Sequence, residues 1–307
     1  MKTESRLEKV LASGALAVTS ECGPPRGARP EKIKEKAELL RGCVDAINVT
    51  DNQTAMVRMS SWAASIIIRQ MGLDPVLQMV TRDRNRLAMQ ADIIGAYSHG
   101  INTMLCISGD HPHFGDHPMA ANVYDLDSVQ LVQAVAKMRD TGMFQGGKDI
   151  DGPPAMFVGA AANPFADPFE LRVMRLAKKI SAGADFIQTQ CVYNLDKFEK
   201  WMQGVCDRGL HEKAYILAGI TPMKSAGMAR YMKNRVPGMD VPDEVVKRME
   251  SVPKEKQPEE GIKLAVESIQ RLKEVRGVSG FHIMAIEWEE KVSEIVEKAG
   301  LLPRPDL

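Results

Sequence analysis

Eight short β-branched or apolar runs recur along the chain between longer amphipathic segments, and this alternation constrains the fold more than any other feature of the sequence. The runs are Ala15–Thr19, Val44–Thr50, Val76–Thr81, Thr103–Ser108, Ala155–Ala160, Asp185–Gln190, Tyr215–Ile220 and Gly280–Ile286. Helices are predicted at Glu31–Leu40, Ser60–Met71, Arg84–Ser98, Ser128–Met138, Pro168–Ala182 and Leu195–Arg208. A long helical stretch covers Met223–Leu272, and a last helix covers Val292–Leu302 before Pro303 and Pro305 stop it. Phe169, Val173, Leu176 and Ile180 show the pattern, with apolar residues three or four apart on one face. Such alternation makes the strands parallel and covers them with helices. Eight units in 307 residues suit a single α/β domain, a (β/α)8 TIM barrel over residues 1–307. A doubly wound open sheet shares the alternation, because periodicity does not report closure.

The charges balance, 40 Lys plus Arg against 40 Asp plus Glu, and 44% of residues are hydrophobic. A disordered chain and a polyanion-coating protein are both disfavoured, so no nucleic-acid partner is expected. No window offers the roughly 20 apolar residues of a membrane span, which makes a soluble cytoplasmic protein without membrane insertion the expectation. The five cysteines stand singly with no CxxC pair, so the chain holds no local zinc knuckle or iron–sulfur motif. The longest breaks in the pattern are His111–Asp127 and Gly142–Pro154. The first follows a strand end directly, which makes it the better active-site loop.

Distinctive polar residues gather at the predicted strand ends. Glu21 follows Ala15–Ser20 and precedes the rigid Pro24–Pro25 pair; there it is either a proton donor or a loop carboxylate that caps a helix or pairs with Arg26. Gly109 lets the chain approach a ligand closely. Asp110 beside it can orient a heterocycle or stabilise a turn. His111, His113 and His117 do not define a tetrahedral metal site by their spacing, and no metal is expected. Gln188 and Gln190 are two apart and so share a strand face, either reading the edges of a heterocycle or bonding to each other's neighbours inside a barrel. Lys178 and Lys179 suit a phosphate or a solvated helix face. Met223, in Gly219–Met223, packs either against a ligand ring or into the core. Walker A, HExxH, GxGxxG and GxSxG motifs are all absent.

The chain resembles the methylenetetrahydrofolate reductase family, particularly its compact prokaryotic, acetogen-type catalytic subunit. The likeness runs through TSECGPPRG (19–27), VTDN (49–52), MVTRDRNR (79–86), ISGDHP (107–112), KKISAGADFIQTQCVYN (178–194), AGITPM (218–223) and residues 259–286. It implies a flavin-containing barrel that reduces 5,10-methylenetetrahydrofolate to 5-methyltetrahydrofolate. By the same resemblance, Glu21 is the general acid and Asp110 lies near flavin and pterin. Gln190 bonds the pterin, Met223 packs against a ring, and Lys179 contacts the cofactor. Thr50, Gln78, Ser108 and Gly109 belong to the cofactor pocket.

The pocket departs from the family pattern. Cys22 and Gly23 replace two aromatic residues, Gln78 a frequent His, Ser108 a common Arg, and Glu287 an Asn. A hydroxyl does not reproduce a guanidinium fork, so FMN and FAD both stay open as the flavin, and NAD(P)H is a direct or an indirect donor. Acetogen-type relatives work with an iron–sulfur and zinc-containing partner subunit, and a homo-oligomer is equally open. A pterin-dependent methyltransferase and a noncatalytic barrel subunit of a redox complex are the rival functions.

Overall fold

The computed structural model describes all residues, 1–307, and settles closure. Its eight strands form one closed barrel in the order β1 to β8, every neighbouring pair parallel. The chain runs α1 (Arg6–Ala12), β1 (Ala17–Cys22), α2 (Pro30–Leu40), β2 (Ala46–Val49), α3 (Ser61–Gln70), β3 (Pro75–Val80), α4 (Arg86–Ser98) and β4 (Thr103–Ile107). It continues with α5 (Ser128–Thr141), β5 (Phe157–Ala162), α6 (Leu171–Ser181), β6 (Phe186–Cys191), α7 (Leu195–Asp207) and β7 (Tyr215–Ile220). The last elements are α8 (Ala226–Arg235), α9 (Asp243–Glu250), α10 (Gln257–Lys273), β8 (Val278–Ile283) and α11 (Val292–Lys298).

Three differences from the sequence reading have physical causes. β1 begins later than expected and runs to Cys22, so Glu21 is a strand residue, paired in register with Asn48, and not a loop residue. The stretch Met223–Leu272 divides into α8, α9 and α10; Pro237, Pro242 and Pro253 interrupt it, because proline removes an amide donor and biases the preceding residue away from the helix. The N-terminal segment forms α1, which the charged sequence around it obscures. Its Leu7, Val10 and Leu11 pack with Ala17, Ala46, Val76, Leu105, Phe157, Phe186 and Leu217, residues at or near the strand starts. This helix therefore plugs the N-terminal end of the barrel. Phe157 and Phe186 stack at 5.0 Å inside it, and a Cβ at position 159 would lie 2.3 Å from the Phe186 ring, so Gly159 makes the room.

At the opposite end, the loops after the strands feed into capped helices. The side chains of Asn85, Asp127, Asn194 and Ser225 accept from backbone amides in the first turns of α4, α5, α7 and α8. Asp127 and Gln130 complete a reciprocal capping box, which fixes where the long 111–127 loop ends.

The two halves of the barrel also correspond, although no short repeat is visible in the sequence. Asp45, just before β2, accepts from Val18 N at 2.8 Å, and Asp185, just before β6, accepts from Val158 N at 2.8 Å, each across the same 27 residues of chain.

Burial sets the thiol chemistry. Cys22, Cys43, Cys106 and Cys191 are buried, and burial pushes the thiols of Cys22 up to about 12 and of Cys43 and Cys191 up to about 11. Only Cys206 is partly exposed. Because the thiolate is the reactive form, the folded protein should give one labelled thiol with a disulfide reagent and the denatured chain all five. Peptide mapping of the labelled site checks this, and fast native labelling at Cys22 would show that the helices covering β1 lift away from it.

Candidate active site

Alternation along the strands builds the mouth from the inside of the barrel outward. Thr19 and Glu21 project inward from β1, and the layer at Thr19 is polar and closed to water: Thr19, Asn48, Gln188 and His282 are each at most 3% exposed. Above it stands Glu21, its side chain 19% exposed, with Oε1 3.5 Å from Gln78 Nε2 and 3.6 Å from His282 Nε2. A carboxyl placed there has one end held by protein groups and the other open to a ligand.

The rim is tied together by charge. Arg82, with its side chain 3% exposed, forms a two-point pair with Asp83 and donates to the backbone oxygens of Asp110 at 2.9 Å and Asn52 at 3.3 Å. Arg84 pairs with the fully buried Asp51, whose Oδ2 also accepts from Val80 N at 3.0 Å. Buried guanidinium groups bonded to several loops at once hold the ends of β2, β3 and β4 in one arrangement. Gly109 sits in this clasp with φ +84°, and a Cβ there would lie 2.9 Å from Val80 Cγ1 and 3.3 Å from Arg82 Nη1. Only glycine meets both the backbone and the space requirement.

The remaining sequence candidates divide by environment. Thr50 is 3% exposed and its Oγ1 has no hydrogen-bond partner. Asp110 is exposed and Ser108 half-buried, each accepting from Arg82 through its backbone oxygen. Lys179 reaches from α6 to the carbonyl of Ala161 near the end of β5, and burial pulls its pKa down. The two glutamines on β6 have different jobs. Gln188 is bonded to Asn48 and Thr19 inside the barrel, whereas Gln190 falls where the β6–β7 register shifts, and its half-exposed amide makes no hydrogen bond. Such irregularities re-aim side chains beside sites. Met223 is 2% exposed in an apolar cluster with Cys191 and Ala226, so core filling describes its surroundings.

Glu21 and Gln78 are thus in contact, Gly109, Asp110 and Ser108 are held by Arg82, and Gln190 and Lys179 occupy the β5–β6 side. His282, Thr19, Asn48 and Arg82 carry site geometry that motif reading missed. A polar His inside the apolar run Gly280–Ile286 was the available signal. His111, His113 and His117 do not converge: His111 bonds to His113 N and Asn122, and no group of three or more His, Cys, Asp or Glu side chains could hold a metal ion. No helix is long and apolar enough to cross a membrane.

The family model of methylenetetrahydrofolate reductase matches residues 6–300. The chain belongs to that family. Among curated methylenetetrahydrofolate reductases, number 2 of Schizosaccharomyces pombe is 26% identical over 83% of this chain and 40% of its own length. A probable methylenetetrahydrofolate reductase (NADPH) of Caenorhabditis elegans is 20% identical over 96% of this chain and 44% of its own. The chain therefore spans less than half the length of these relatives. A solved structure, an uncharacterized protein from Clostridium thermocellum that binds two copies of 5-methyl-5,6,7,8-tetrahydrofolic acid, superposes with a TM-score of 0.66 at 14% identity. The match covers 96% of this chain and 98% of that one. This likeness is one of fold, and it places the reductase-family barrel alongside a second barrel of nearly equal extent.

Proposed function

We propose that this chain reduces 5,10-methylenetetrahydrofolate to 5-methyltetrahydrofolate, using a flavin held at the C-terminal mouth of the barrel. The observation that carries the reading is Glu21, faced by Gln78 and His282 at the mouth of a barrel of this family. The structural neighbour that binds 5-methyltetrahydrofolic acid supports the substrate class. The residues present fit a flavin: Thr50 offers a buried hydroxyl with no partner, Gly109 gives the end of β4 a side-chain-free turn at φ +84°, and Lys179 brings positive charge to the end of β5. When bound, the flavin supplies a hydride equivalent to the methylene carbon.

This chain's own residues handle the proton and the orientation. Glu21 donates a proton to one of the two nitrogens bridged by the methylene group, so that the C–N bond breaks and the electron pair stays on nitrogen. Gln190, with an amide that has a free donor and a free acceptor, fits a pterin edge. The Asp110 carboxylate suits an N–H of a heterocycle, and Met223 would adjust its packing if a ring docks beside it.

The electron source forms the second half of the proposal. One relative's name carries NADPH and two carry NADH, yet this chain has Ser108 where the family resemblance leads one to expect Arg. Without a CxxC pair, an iron–sulfur relay would have to come from a partner subunit. Purified protein should carry a yellow cofactor whose released mass identifies FMN or FAD. A folate assay with and without NAD(P)H then separates direct from relayed reduction. Colourless protein that binds neither flavin would reject the reductase reading, and methyl transfer by such protein would establish the methyltransferase alternative.

A further inference from the structure

Beneath Glu21 the barrel interior contains a continuous chain of hydrogen bonds. Asn48 Nδ2 donates to Gln188 Oε1 at 2.7 Å, and Gln188 Nε2 donates to Asn48 Oδ1 and to Thr19 Oγ1, both at 3.0 Å. With the amides in this orientation the Thr19 hydroxyl has one proton to give, and the ring nitrogen 2.9 Å away is His282 Nδ1. A neutral imidazole that accepts at Nδ1 carries its hydrogen on Nε2. That nitrogen faces Glu21 Oε1 at 3.6 Å, and Gln78 Nε2 faces the same oxygen at 3.5 Å.

We propose that His282 is a positioning residue for Glu21: held by Thr19 as the Nε2–H tautomer, it joins Gln78 in occupying Oε1, so that the acid proton resides on Oε2. The inference rests on reading Glu21 as the acid. Two N–H groups aimed at one carboxyl oxygen exclude a proton from it, since the hydrogens would face one another. Oε2 has no hydrogen-bond partner of its own and is the oxygen left for a ligand. The Nε2 contact is longer than a hydrogen bond, and catalytic contacts of an unliganded site shorten when substrate binds. Thr19, Asn48, Gln188 and His282 are 0%, 0%, 3% and 2% exposed, so no bulk water competes for these groups, and the opposite direction, with Nδ1–H giving to Thr19, would set a bare Nε2 against Glu21 Oε1.

Histidine labelled with 15N gives a direct readout that needs no turnover. The His282 signals, assigned by their loss in His282→Gln, should show Nε2 protonated and Nδ1 bare in the parent protein, with a growing Nδ1–H fraction in Thr19→Val. An Nδ1–H tautomer in the parent, or indifference to Thr19→Val, would overturn the proposal. Kinetics supply the second arm. His282→Leu should slow the folate half-reaction by roughly tenfold or more, below the ~10²–10⁴ of losing the acid, with flavin reduction unchanged. His282→Gln, which keeps a donor at the ε position, should recover most of the rate, and a Leu variant as fast as the parent would also reject the role. If the parent protein turns over no folate, the reductase reading fails while the tautomer result still decides the hydrogen-bond chain.

Discussion

Replacing Glu21 by Gln is expected to slow the folate half-reaction by roughly 10²–10⁴-fold while the flavin is reduced at the parent rate. The substitution is nearly isosteric and keeps an oxygen that Gln78 Nε2 and His282 Nε2 can address, so the local packing is preserved. What disappears is the acidic proton, and an amide cannot deliver one to a bridge nitrogen. Rapid-mixing absorbance separates the two halves of the reaction, following bleaching of the flavin by the donor and its recovery on adding methylenetetrahydrofolate. If recovery is as fast in the variant as in the parent, the proton comes from another group and the role assigned to Glu21 is wrong. If both halves slow together, the substitution has disturbed the cofactor and not the acid step.

How much of this was legible beforehand differs from residue to residue. The barrel could be read because each of its strands is a short apolar run and each crossover a helix with a clear apolar face, as in Phe169, Val173, Leu176 and Ile180. Closure itself was not legible, since hydrogen bonding of β1 to β8 joins Ala17–Ser20 to Gly280–Ile283 at the two ends of the chain. Glu21 was found, but its strand position was not, because the start of β1 depends on its register with β2 and β8. Helix α1 was missed for a related reason. Leu7, Val10 and Leu11 form a face that makes sense only against the barrel floor they plug. Gln188 and Gln190 looked equivalent at a period of two, and only the register shift between β6 and β7 gives one to the interior and leaves the other free. Arg82 read as one charge among several in residues 79–86, and its grip on Asn52 and Asp110 depends on loops far apart in sequence.

Asp185→Ala is expected to cost about 3 kcal/mol, the low end for breaking a buried ion pair, because Arg139 keeps its two-point pair with Asp140 and its bond to the Met156 carbonyl. The Asp185 side chain is 6% exposed, and Arg139, which it pairs with at 2.5 Å, is 5% exposed. Asp185 Oδ2 also accepts from Val158 N at 2.8 Å, while Asp185 N donates to Val158 O at 2.7 Å, so the residue locks the start of β6 to β5. Asp185→Asn keeps an oxygen for Val158 N–H and should fall between the parent and Ala. The denaturant midpoint at constant slope measures both. Asp45 does the corresponding work between β1 and β2, accepting from Val18 N at 2.8 Å and from Arg304 at 2.6 Å. The two clamps share no partner, so their costs should add. The double Ala variant would then lose about 6–8 kcal/mol, comparable with the ~5–15 kcal/mol that holds a typical domain together. It should show no cooperative unfolding transition, whereas each single variant should keep one. Two single variants with unchanged midpoints would mean that strand packing alone sets the register that places Glu21 opposite Asn48.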